Sequence, residues 1–79
     1  MSYRQTLVTL PNAAACVAAI DAAHALYRKE HKRNATVELL VSSYQDRHSV
    51  ALYATDAGGA QADEVAWFDR TLKTLYPST

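Results

Sequence analysis

The chain reads as an α+β domain, a two-layer β-α-β-β-α sandwich in which a three-stranded sheet carries two helices on one face. Three observations predict it. Thr36 to Thr55 alternates apolar and polar residues with period two on either side of a short polar break, the pattern of a β-hairpin. Ala13 to His31 is rich in alanine and gathers apolar residues on one stripe at 100° per residue. A second stripe of helical period follows the only two glycines and stops before Pro77.

Tyr3 to Leu10 is rich in β-branched and aromatic residues and ends at Pro11, so it reads as a first strand. Leu7 and Val8 are neighbours, and strict alternation cannot bury both. Asn12 is placed to cap the first helix, because its side-chain oxygen can accept from an orphan helix N–H. The stripe of that helix holds Ala13, Cys16, Val17, Ile20, Ala23, His24, Tyr27 and His31. Arg28, Lys29, Lys32 and Arg33 gather near its negative end, and Asn34 is a suitable left-handed terminator. Leu26 lies off the stripe and is expected to be partly exposed.

Ala35 to Tyr44 is the second strand, with Val37, Leu39 and Val41 facing the core and Thr36, Glu38, Leu40, Ser42 and Tyr44 opposite. Gln45, Asp46 and Arg47 form the connection. His48 to Thr55 is the third strand; Val50, Leu52 and Ala54 face inward, and Ser49, Ala51, Tyr53 and Thr55 face outward. Asp56 to Ala60 is the flexible joint. The last helix runs from about Gln61 to Leu75, with Asp63 and Glu64 near its positive end and Val65, Phe68, Leu72 and Leu75 as its stripe. Trp67 either flanks the core, the commoner place for tryptophan in a small domain, or stands exposed as an anchor.

At 79 residues the chain makes a single domain, 1–79, with a modest core. Lysine plus arginine equal aspartate plus glutamate at 8 each, so no global field draws it to nucleic acid or membrane. The single cysteine, Cys16, has no internal disulfide partner and reads as a small apolar residue. No charged-then-apolar leader opens the chain, and no apolar run nears the roughly 20 residues of a membrane span. A free thiol without a leader points to the cytoplasm.

The chain carries no phosphate loop, dinucleotide fingerprint, zinc-ligand pattern or calcium loop, so neither a cofactor nor a metal is expected. His24 and His31 are two turns apart, about 10.5 Å of rise, too far to share an ion. His48 beside Arg47 and Asp46 has the residue types for acid/base cleavage of RNA, but neighbouring strand residues point to opposite faces. A solvated turn is the simpler reading there, and a toxin-like ribonuclease the least supported function.

Two surface features remain. A two-layer domain buries one sheet face and leaves the other to water or a partner. On that outer face Leu40, Tyr44 and Tyr53 form a candidate patch. The basic stretch Arg28, Lys29, Lys32 and Arg33, with Arg47 at the hairpin, either serves solubility and the helix dipole or docks an acidic surface.

In length, element order and absence of catalytic motifs, the chain resembles the small phage-encoded anti-defence proteins, such as the anti-CRISPR proteins. The resemblance covers size and element order and carries no residue across. It implies a stoichiometric inhibitor that binds a host nucleic-acid-handling complex, such as a CRISPR–Cas surveillance complex, and occludes it. The expected function is therefore a non-catalytic protein-binding module, not an enzyme, with a homodimer as a possible accompaniment through outer faces or edge strands. The alternative is a small RNA- or DNA-binding domain that stacks bases on the aromatic sheet face and holds phosphates with the basic helix end. Zero net charge disfavours it.

Overall fold

The computed structural model describes residues 2–77. Its elements are β1 (Tyr3–Leu10), α1 (Ala13–His31), β2 (Glu38–Tyr44), β3 (Arg47–Ala54) and α2 (Ala62–Leu75), the α+β order read from the sequence. The three-stranded sheet is antiparallel, with β3 in the centre and spatial order β1-β3-β2.

The pairing of β1 slips between Thr6 and Val8, so Leu7 is the extra residue of a β-bulge. This lets both Leu7 and Val8 enter the core, at 4% and 3% exposure. The neighbouring apolar pair is thus the sequence trace of the bulge.

Asn12 caps α1 as expected, its Oδ1 accepting from the Ala15 N–H at 2.8 Å. The buried line of α1 is Cys16, Ala19, Ala23 and Tyr27. Alanines there let the helix lie close to β2 and β3. The stripe expected from the sequence is rotated: Val17 is 50% exposed, because the helix rests on its small residues rather than on its branched ones. The helix also ends earlier than Asn34. Lys32 adopts the left-handed conformation (φ 59°, ψ 28°) and its N–H bonds back to Arg28. Nothing in the side chain of lysine favours that geometry.

β2 begins at Glu38 rather than Ala35, since residues before it are drawn away from the ladder toward α2. The hairpin turn is shorter than expected: Arg47 already pairs with Tyr44, leaving Gln45 and Asp46 as the loop, with Gln45 at φ 55°. Leu7, Val8, Val37, Leu39, Val50, Leu52 and Ala54 join the buried line of α1 and Trp67, Phe68 and Leu72 of α2 in one core. Both helices therefore cover the same sheet face. Val41 and Leu75, expected in the core, are 37% and 46% exposed, because Val41 stands on the edge strand β2, with a neighbouring strand on one side only, and Leu75 is the last residue of α2.

An aromatic group joins the helices. Tyr27 stacks on Phe68 at 5.3 Å between centroids, and Trp67 meets Tyr27 edge-on at 5.1 Å and Phe68 at 4.9 Å. Such pairs each add about 1 kcal/mol beyond the area they bury. Trp67, 6% exposed, is a core residue that also donates to Glu30 at 3.4 Å.

Candidate protein-interaction surface

Register sorts the outward side chains into rows across the open face. Arg4, Tyr53 and Glu38 form the first; Thr6, Ala51 and Leu40 the second; Thr9, Ser49 and Ser42 the third; Arg47 and Tyr44 the last, at the hairpin turn. None of these residues belongs to the core. Ala51 is nevertheless only 1% exposed, because Leu40, Tyr53 and the flanking side chains close over a residue with a single methyl. Leu40 and Tyr53 are half-buried and diagonal to one another, and Tyr44 is 74% exposed. The outer face is thus a polar floor with one aliphatic–aromatic pair, plus a tyrosine and an arginine at the tip. It is less apolar than the sequence suggests.

The tip also borders an open hollow of about 550 Å³ between the end of β1 and the turn, lined by Leu10, Pro11, Tyr44 and Arg47 among others. Beside it, on the helix side of the sheet, Ser43 Oγ lies 2.9 Å from His48 Nδ1. These two face each other across β2 and β3. Among the described residues no carboxylate bonds the imidazole, so the pair lacks the third group that orients a general base.

The basic stretch lies elsewhere. β1 ends opposite His48, near the turn, and α1 starts just beyond it and runs 19 residues, about 28 Å, back along the sheet. Its C-terminus therefore lies at the end of the sheet away from the turn and in the other layer. Arg28, Lys29, Lys32 and Arg33 are all exposed there. The structure does not bring them together with Tyr44 and Arg47.

Within that stretch Arg33 differs from its neighbours. Its guanidinium sits 5.3 Å from the centre of the Tyr27 ring and 3.5 Å from Glu64 Oε2. Arg28, Lys29 and Lys32 make no ion pair among the described residues. They are the charges free to meet a partner.

Glu64 was expected to serve the helix dipole. It is 4% exposed and instead accepts the backbone N–H of Thr36 at 2.6 Å, the Thr36 hydroxyl at 2.9 Å and the Val37 N–H at 3.3 Å. Burial pushes its carboxyl up, but the bonds from Thr36, Val37 and Arg33 outweigh it and hold the group below its ordinary value. Gln61 extends the network: it donates to Thr36 Oγ1 at 3.1 Å and accepts from Thr55 Oγ1 and the Asp56 N–H. Sequence reading missed this cluster, for which a Gln-x-x-Glu pair at a helix start is the one trace. It fixes the strand ends that carry Glu38 and Tyr53.

Burial raises the Cys16 thiol above its ordinary value, and the sulfur is shut off from solvent at 0% exposure. No group of three or more metal-ligating side chains comes together among the described residues. No helix among them is long and apolar enough to cross a membrane. No protein-family model, curated protein or solved structure matches the chain.

Proposed function

We propose that the chain is a non-catalytic protein-binding module of the cytoplasm that acts as the small phage-encoded inhibitors do, binding a host nucleic-acid-handling complex such as a CRISPR–Cas surveillance complex and blocking it. One observation carries the reading: among the described residues no second layer covers the outer sheet face, and Leu40, Tyr53, Tyr44 and Arg47 stand on it. Tyrosine and arginine at such a place supply the large, partly desolvated contacts that dominate binding energy. Arg28, Lys29 and Lys32, which make no ion pair among the described residues, supply long-range steering toward an acidic surface.

The test is binding of the purified chain to a purified surveillance complex by biolayer interferometry. Leu40→Asp, Tyr53→Asp and Tyr44→Asp are each expected to weaken binding at least tenfold, about 1.4 kcal/mol. Lys29→Glu is expected to slow association and leave dissociation nearly unchanged. Absence of binding to any such complex sinks the inhibitor reading. Wild-type affinity in all three sheet variants sinks the open face as the contact.

A second reading draws on Arg4 beside Tyr53 in the same row, a base-stacking ring next to a phosphate-binding cation. Tight binding of labelled single-stranded RNA at low salt, lost steeply as salt rises, would put nucleic acid in place of the protein partner.

A further inference from the structure

The order β1-β3-β2 leaves two sheet edges, and they differ. β1 is interrupted by the bulge at Leu7, stops at Pro11, and is tied to α2 by Gln5 Nε2 donating to Asp69 at 3.3 Å. Bulge and proline are the usual guards of an exposed edge. β2 has none of them. Its seven residues pair with β3 without a register shift, and Glu38 is its only charge.

We propose that β2 pairs antiparallel with β2 of a second copy, across a two-fold axis passing through Val41, so that the two sheets become one. The backbone sets this register. Tyr44 and Arg47 close a two-residue turn, so they must exchange both hydrogen bonds with each other. Counting back along an unbroken ladder, Glu38, Leu40, Ser42 and Tyr44 direct their N–H and C=O groups to β3. Those of Leu39, Val41 and Ser43 point outward, and no bond within the described chain takes them. A two-fold at Val41 sets Val41 against Val41, and Leu39 against Ser43, using all three outward residues at once. Sliding the second copy by two residues places Ser43 opposite Val37, or Leu39 opposite Gln45, and loses a pair.

The side chains agree with that register. The pairing puts Tyr44 of one copy opposite Glu38 of the other, diagonal to Leu40. The most exposed aromatic ring would then lie over the half-buried aliphatic of the outer face. Arg47 follows Tyr44 in the same row, so the joined row reads Glu38, Tyr44, Arg47, with opposite charges on either side of the ring. The symmetry makes this twice. Val41, 37% exposed on the helix side, meets its own copy at the axis. A formal net charge of zero adds no repulsion between copies.

Sedimentation equilibrium over a dilution series tests this with no other partner needed, so its result is independent of the inhibitor reading. The wild-type chain is expected to approach twice its 8.7 kDa mass at high concentration and to dissociate on dilution. Val41→Lys puts like charges at the axis and should raise the dissociation constant by roughly a hundredfold, with a folded circular dichroism spectrum. Leu40 and Ser42 of opposite copies form a closely spaced pair with Cα atoms about 4.5 Å apart, within disulfide reach. The double variant Leu40→Cys, Ser42→Cys should therefore oxidise to a covalent dimer, while Cys16, at 0% exposure, stays silent. A wild-type chain that remains monomeric throughout overturns the proposal. So does a dimer that the cysteines fail to link, since its interface would lie elsewhere. If Val41→Lys does not fold, the wild-type series and the cross-link decide between these outcomes.

Discussion

At Glu64 one carboxylate ties α2 to the chain entering β2. Its acceptors satisfy two backbone N–H groups and a hydroxyl that would otherwise be stranded beside the core, and Arg33 closes over it. Truncation leaves those donors unpaired. Glu64→Ala is expected to lower unfolding free energy by about 3 kcal/mol, measured by urea denaturation. The group also makes stability depend on acid. Its folded pKa lies below the ordinary 4.5, so an unfolded chain takes up the proton first. The stabilisation is complete above the ordinary value and drains away as pH falls through the folded one. The urea midpoint of the wild-type chain should fall from about pH 5 downward, and more steeply than that of Glu64→Gln.

At the scale of elements, the joint between β3 and α2 is held by bonds rather than by glycine freedom, for neither glycine has a positive φ. Asp56 accepts the Ala60 N–H at 3.1 Å, and its backbone carbonyl takes the N–H groups of Gly59 and Gln61. Gly59 is needed for space: a Cβ there would sit 2.4 Å from the Asp56 carboxylate, whereas one at Gly58 would meet nothing within 4 Å. Gly59→Ala must displace that carboxylate and should cost about 1 kcal/mol, the worth of the bond it breaks. Gly58→Ala should be neutral or add about 0.5 kcal/mol by restricting the unfolded chain. Thermal unfolding of the pair checks both; equal losses would show that the loop is set by something other than the Asp56 contact.

For the whole molecule, one core under one sheet face makes opening all-or-none. Cys16 sits inside that core and its thiol is raised by burial, so it reacts only when the layers part. Leu72→Ala, a fully buried truncation on the opposite helix, is expected to cost about 3 kcal/mol. It should speed thiol labelling of Cys16 by roughly a hundredfold although the two residues lie on different helices. An unchanged rate would mean that α1 opens by itself. The same architecture separates the two sets of surface residues, since Tyr44 and Arg47 lie at one end and Arg28, Lys29 and Lys32 in the other layer at the far end.

Periodicity alone determined the number, kind and order of the elements, because side chains repeat every two residues in a strand and every 3.6 in a helix whatever they later touch. It also determined the outer face of β2 and β3, on which Leu40, Tyr44 and Tyr53 all stand. The tertiary structure decided which equivalent residue did what. It turned α1 onto alanines and left Val17 outside, placed the bulge that admits both Leu7 and Val8, drew Arg33 out of the basic group onto Tyr27, and made Glu64 a buried clamp. The bulge and the Glu64 clamp depend on neighbours more than 20 residues away in sequence, and Arg33, though only six residues from Tyr27, is held there by Glu64, 31 residues on, so local spacing carries no record of them. It also decided that β1 is the guarded edge and β2 the open one, since a strand's place in a sheet is a property of the sheet and not of the strand.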